Sequence, residues 1–159
     1  MPRAAKPPSR LIQECMQSLR RIVKALENYS HSVEQRFELT GPQLWALWEL
    51  GQAGPLALKD LAARMHLDAS TVAGVVERLV GKGLVVRSPD ASDRRRISLA
   101  PTAKGKVILK AAPHPAQGHL LAGLAAMDQR RVEGLREALH TLEITLQAED
   151  LEAPFFFAD

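Results

Sequence analysis

The stretch from Leu58 to Ala100 constrains the fold more than any other part of the chain. Two short amphipathic segments come first, with little between them. Leu58, Leu61, Ala62 and Met65 share one helical face over 58–65, and Val72, Val75, Val76, Leu79 and Val80 share another over 69–82. Asp68 stands at the N-cap position of the second segment. Gly83 stands where a helix ends in the left-handed conformation, with apolar Leu84 just beyond. The pattern then turns β-branched and extended over Leu84–Arg87 and Ile97–Ala100, on either side of the polar loop Ser88–Arg96. This order predicts a helix-turn-helix followed by a β-hairpin.

The flanking segments read as helices. Leu11, Cys15, Met16, Leu19, Ile22, Val23, Leu26, Tyr29, Val33 and Phe37 recur every three or four residues, so a first helix is predicted from roughly Ser9 to Glu38. It is too long to bury its stripe in so small a domain, and a second subunit is expected to cover it. Thr40-Gly41-Pro42-Gln43 has capping-box spacing and opens a helix to about Gly51, before Gly54-Pro55 breaks the chain. Thr102 caps a further helix, which Pro113 and Pro115 interrupt. One last helix is predicted from about Gln117 to Gln147, with Leu121, Leu124, Val132, Leu135, Leu139, Leu142 and Leu146 in a second stripe. Phe155-Phe156-Phe157, after Pro154, is expected to pack on something, the partner subunit included. The fold class is therefore mainly α with a small β-hairpin. A winged helix-turn-helix lobe (40–102) is expected between an N-terminal dimerisation helix (1–39) and C-terminal dimerisation helices with a tail (103–159), all in one integrated domain.

Charge distribution narrows the function. Residues 1–112 carry 18 Lys and Arg against 10 Asp and Glu, whereas residues 113–159 carry 3 against 8. A basic body with an acidic tail suggests that one surface meets a polyanion; chance segregation of surface charge is the plainer alternative. A single cysteine excludes an internal disulfide framework and fits a reducing compartment. With no secretory signal or apolar span in view, a cytoplasmic location with no membrane partner is expected. No Gly-rich phosphate loop, metal set or nucleophile with a base nearby is present, so an enzyme is not expected.

Two groups of residues suit a nucleic-acid surface. The second helix of a helix-turn-helix enters the major groove, whose width admits one α-helix. Its first turns must then be small and polar, as Ser70, Thr71, Ala73 and Gly74 are. At the hairpin tip, Arg94, Arg95 and Arg96 follow Asp93. A narrow minor groove attracts an inserted arginine, and Asp93 can hold one guanidinium by both oxygens. Arg78 is within reach of Asp93 or of a phosphate. The plainer readings are a buried helix pair with a small-residue face and a solvated turn.

Leu58-Lys59-Asp60-Leu61-Ala62, the run Ser70 to Val85, Pro89-Asp90-Ala91-Ser92-Asp93-Arg94-Arg95 and Thr102-Ala103-Lys104-Gly105 together resemble the multiple antibiotic resistance regulator (MarR) family over about residues 40–110. The resemblance implies a homodimeric transcription factor on palindromic double-stranded DNA, most often a repressor, released by a small aromatic or phenolic molecule. It implies that Arg95 enters the minor groove and that Lys59, Ser70, Thr71, Gly74, Arg78, Asp93, Arg94 and Arg96 lie on or near the DNA. The family often carries a hydroxyl residue where Ala57 stands and a larger polar or basic residue where Gly74 stands. A winged-helix module that docks protein or RNA is the alternative class.

The sensor is less legible. Tyr29, His31, Trp45 and Trp48 suit an apolar pocket, with Arg20 or Arg21 to pair a carboxylate. Cys15 lies where oxidant-sensing relatives carry a reactive thiol, but its apolar neighbours point to a buried structural residue. The five histidines, His31, His66, His114, His119 and His140, show no ligand spacing, so neither a metal nor a cofactor is expected.

Overall fold

A computed structural model describes residues 9–152 together with Phe155 and Phe156. The expectations for Met1–Pro8, Pro154 and Phe157 lie outside the described residues. The described elements are α1 (Arg10–Phe37), α2 (Gly41–Ala53), α3 (Leu58–Arg64), α4 (Ala69–Gly81), β1 (Val85–Pro89), β2 (Ile97–Pro101), α5 (Ala103–Ala111), α6 (Ala116–Ala125) and α7 (Gln129–Leu146). None of these helices is long and apolar enough to cross a membrane.

Local chemistry sets most of the boundaries. Ser9 caps α1 by accepting from the Ile12 N–H, and Glu38 ends it in the left-handed region. Thr40 and Gln43 cap each other's backbone at the start of α2. Asp68 occupies the N-cap position of α4, but its carboxylate makes no capping hydrogen bond. Gly83, at φ +70°, turns the chain out of α4; its N–H bonds the Val80 carbonyl while the Leu84 N–H bonds that of Leu79. Thr102 accepts from the Gly105 N–H and donates to the Gly83 carbonyl, so it caps α5 and ties it to the end of α4. A side chain at Gly105 would place its Cβ 2.3 Å from the Leu84 carbonyl oxygen, so only glycine permits this approach.

The predicted helix over 117–147 is two helices. α6 stops at Ala125, and Asp128 opens α7 by accepting from the Arg131 N–H. The apolar stripe runs through the break because each helix has an apolar face, so periodicity alone conceals it.

One core joins α2, α3, α4 and the hairpin. Leu44, Leu47, Leu50, Leu61, Met65, Val72, Val76, Leu79, Leu84 and Leu99 are all buried in it. β1 and β2 pair antiparallel from Val85↔Pro101 to Pro89↔Ile97, and Leu56 adds a two-bond bridge to Leu99. The hairpin base is thus fastened to the segment between α2 and α3.

α1 and α7 differ in kind. In α1 only Leu26 and Val33 are buried, while Leu11, Ile12, Met16, Ile22 and Val23 are exposed, Leu11 to 69%. In α7, Val132, Leu135, Leu139, Leu142, Ile144 and Leu146 are likewise exposed. Cys15 is exposed in the single chain, on the stripe expected to be covered by a second subunit. It lies on the N-terminal half of α1, where no other element of the chain covers the helix.

Candidate nucleic-acid interface

The lobe presents two adjacent features. The first is the outer face of α4. Ser70, Gly74 and Arg78 are exposed, Thr71 and Ala73 are half-buried, and the opposite side is held in the core by Val72, Val75, Val76 and Leu79. A Cβ added at Gly74 would meet nothing within 4 Å, so this part of the helix surface is bare. Lys59, on the first turn of α3, is exposed as well.

The second feature is the wing tip, and its order comes from two aspartates. Asp90 accepts from the Ser92 hydroxyl and N–H, the Asp93 N–H (3.1 Å) and the Ser98 hydroxyl (2.7 Å). These bonds, the Ser92 and Ser98 hydroxyls foremost, hold its carboxyl far below the usual aspartate range. Asp93 accepts from the Arg95 N–H at 3.0 Å, from Nε at 3.2 Å and from Nη2 at 3.5 Å. The Arg95 guanidinium, ahead of its backbone, lowers the Asp93 carboxyl below its ordinary value. The Arg95 side chain remains 91% exposed. Such a pair adds little stability in water, so its consequence is directional: the guanidinium is held away from the body of the protein.

The other arginines divide. Arg96 reaches Asp60 of α3 at 3.7 Å, Arg87 of β1 pairs with Glu77 of α4 at 2.7 Å, and Arg94 makes no side-chain bond to a described residue. The expected reach of Arg78 to Asp93 is not made; both Asp93 oxygens accept from Arg95. The Arg87–Glu77 and Arg96–Asp60 pairs were not foreseen; both need the hairpin folded back over α3 and α4, which no local pattern announces.

Behind this surface lies an apolar cavity of about 260 Å³. Trp45 of α2, Met65 and Leu67 of the α3–α4 turn, and Leu120, Leu121 and Leu124 of α6 line it, with Gln117, Phe155 and Phe156 at one side. The Gln117 amide donates to the Phe156 carbonyl at 3.1 Å. Phe155 packs against this chain's own core. Of the six residues expected in a pocket, Trp45 alone lines this cavity. Trp48 meets the His114 ring edge-on at 4.3 Å, and His114 stacks on His119 at 3.9 Å. Tyr29 is half-buried and its hydroxyl has no hydrogen-bond partner among the described residues. Burial pushes its pKa up to about 12. His31 bonds Gln35 on the exposed side of α1, where Arg20 and Arg21 also lie.

Glu49 connects the cavity wall to the helix pair. It is 7% exposed, accepts from the Trp45 indole N–H at 3.3 Å and from Arg64 Nε at 2.8 Å, and so ties α2 to the end of α3. Glu49→Ala is expected to destabilise the fold by about 1–3 kcal/mol, since it leaves a buried donor unpaired, and Glu49→Gln by less. Denaturant midpoints at constant m-value check this.

A model of the MarR family matches residues 39–97. The chain is similar to the HTH-type transcriptional regulator TtmR of Methylorubrum extorquens, at 32% identity over 65% of this chain and 55% of that protein. It is similar to the HTH-type transcriptional repressor NicR of Pseudomonas putida, at 36% identity over 46% of this chain and 47% of that one. The chain thus spans about half the length of these curated relatives. Among solved structures, a probable transcriptional regulator from Pseudomonas aeruginosa superposes with a TM-score of 0.54 at 32% identity, over 84% of this chain and 99% of that one. A MarR family protein from Bacillus stearothermophilus shares the fold, with a TM-score of 0.55 at 24% identity, over 89% and 99%.

Proposed function

Because the chain belongs to the MarR family of winged helix-turn-helix transcriptional regulators, we propose that it acts as a homodimeric repressor that grips a palindromic duplex and lets go when a small molecule binds. The observation that carries this reading is the wing tip: Asp93 aims an exposed Arg95 outward beside the bare outer face of α4. In the proposed complex, Ser70, Thr71 and Gly74 face the major groove, Lys59 and Arg78 lie near phosphates, and Arg95 enters the minor groove between Arg94 and Arg96. Residues 40–102 form the reading lobe. Residues 1–39 and 103–159 hold two such lobes at a fixed spacing, and the uncovered apolar faces of α1 and α7 support that assignment. The name of the Pseudomonas putida relative supports the sign, repression. The setting is the cytoplasm.

Release needs only a modest coupling. An effector that favours a lobe spacing unsuited to successive grooves weakens DNA binding by its differential affinity for the two states, typically about 1–3 kcal/mol. The cavity beside Trp45 is the proposed effector site. Trp45 bonds Glu49, and Glu49 bonds Arg64 at the end of α3, so turning Trp45 shifts the first helix of the pair.

Selection of duplexes from a random library tests the reading. The expected product is an inverted repeat whose half-sites lie a whole number of turns apart, with affinity falling about 10³-fold or more between 50 and 200 mM salt. Retained duplexes without symmetry, or affinity indifferent to salt, would refute it.

A further inference from the structure

We infer that Asp90 is a positioning residue for DNA reading: with Ser98 it fixes the wing loop in the shape that presents Arg95, and it raises discrimination between duplexes although its own charge opposes a polyanion. The inference rests on the wing-in-groove reading above and names the residue that sets the wing.

Asp90 makes no ion pair with a described residue. Its oxygens accept from neutral donors alone: the Ser92 and Ser98 hydroxyls and the Ser92 and Asp93 N–H groups. Asp93, by contrast, pairs its charge with Arg95. The donors around Asp90 keep it ionised, so a full negative charge stands in the loop proposed to meet phosphates. Coulombic repulsion makes that charge unfavourable for any duplex. What Asp90 contributes is its hydrogen bonds. Oδ2 takes the Ser98 hydroxyl at 2.7 Å, eight residues on and across the hairpin. Oδ1 takes the Ser92 N–H at 2.8 Å and the Asp93 N–H at 3.1 Å, at the start of the loop. Ser98 is 4% exposed, so its hydroxyl is a fixed point on β2 and needs this acceptor. One carboxylate therefore joins both ends of the loop. The effect reaches the arginine in one step, because the Asp93 that Asp90 holds is the residue that holds Arg95 Nε at 3.2 Å. The backbone bonds that close the loop, Asp90 N–H to the Arg96 carbonyl and Arg96 N–H to the Asp93 carbonyl, leave the Asp93 N–H to Asp90. A guanidinium already held in one orientation loses less freedom on entering a groove.

Two neutral variants separate the charge from the shape. Asp90→Asn keeps an acceptor for the Ser92 and Asp93 N–H groups and gains an amide that can donate to Ser98, whereas Asp90→Ala keeps neither. Fluorescence anisotropy measures the affinity of each full-length protein for its selected duplex and for a scrambled one. The ratio of the two affinities is the readout, since a loss of folded protein lowers both alike. Asp90→Ala is expected to lower the ratio about fivefold or more relative to Asp90→Asn, the low end of what one specific contact carries. Both variants should bind the scrambled duplex at least as tightly as wild type, because each lacks the opposing charge. Ser98→Ala, which retains that charge, should lower the ratio in the same direction. In an Arg95→Ala background, Asp90→Ala should change the ratio by less than about twofold, because its effect passes through that arginine. Equal ratios in Asp90→Ala and Asp90→Asn, or the same loss with and without Arg95, would overturn the inference while wild type still selects its duplex. If Asp90→Ala does not fold, Ser98→Ala decides, and an unchanged ratio there overturns the inference. A wild-type ratio near one would instead refute the DNA reading, and the inference with it.

Discussion

Leu139→Glu is expected to convert the protein into a monomer of about 17.4 kDa that no longer retains its selected duplex. Leu135, Leu139 and Leu142 lie on one face of α7, and each is more than one-third exposed in the single chain. α1 adds Leu11, Ile12, Met16 and Val23 along a helix of 28 residues, about 42 Å at the usual rise per residue. A monomer seldom leaves so much contiguous apolar surface in water. In a two-fold interface each position occurs twice, so a single substitution is felt twice. Burying one leucine contributes about 1.5–3 kcal/mol, and replacing two of them with buried carboxylates reverses the sign. Neither helix contributes much to the core of the reading lobe, so the variant should keep its helical spectrum. Light scattering gives the mass and circular dichroism gives the fold. A folded Leu139→Glu protein that remains dimeric would remove α7 from the interface.

Arg95→Ala is expected to lower affinity for the selected duplex by about 1–3 kcal/mol, roughly 5- to 150-fold, and to leave dimer mass and thermal midpoint unchanged. Stability should not move, because the Arg95–Asp93 pair is exposed and such pairs contribute about 0–1 kcal/mol. The salt slope should fall by about one counterion, as befits the loss of one cation on the DNA. Arg95→Lys should be intermediate, since an ammonium keeps the charge but lacks the planar fork that Asp93 orients. Fluorescence anisotropy at two salt concentrations measures both quantities. Unchanged affinity in Arg95→Ala would mean that the wing does not enter the DNA.

What was legible in the sequence was local. Thr40 with Gln43, Gly83 with Leu84, and Thr102 with Gly105 each act within a few residues, so their spacing can be read directly. The Asp93–Arg95 contact spans two residues and was equally accessible. What escaped depends on distant parts of the chain meeting. Glu49 and Arg64 are fifteen positions apart and belong to different helices. Gln117 and Phe156 are thirty-nine apart, and the cavity wall they share has no sequence signature. The break at Asp128 was hidden because leucines continue on both sides of it. Cys15 shows the same limit: an apolar stripe shows what a helix can bury, not whether its own chain supplies the cover.

Footprinting of the selected duplex, by hydroxyl radical for the minor groove and by guanine N7 methylation for the major groove, tests the central claim most directly. The account predicts, for each half-site, protected guanines in the major groove where α4 lies and a protected minor-groove tract beside them. That tract should disappear in Arg95→Ala while the major-groove protection persists. A minor-groove pattern that is the same with and without the arginine, or no major-groove protection in either protein, would contradict it.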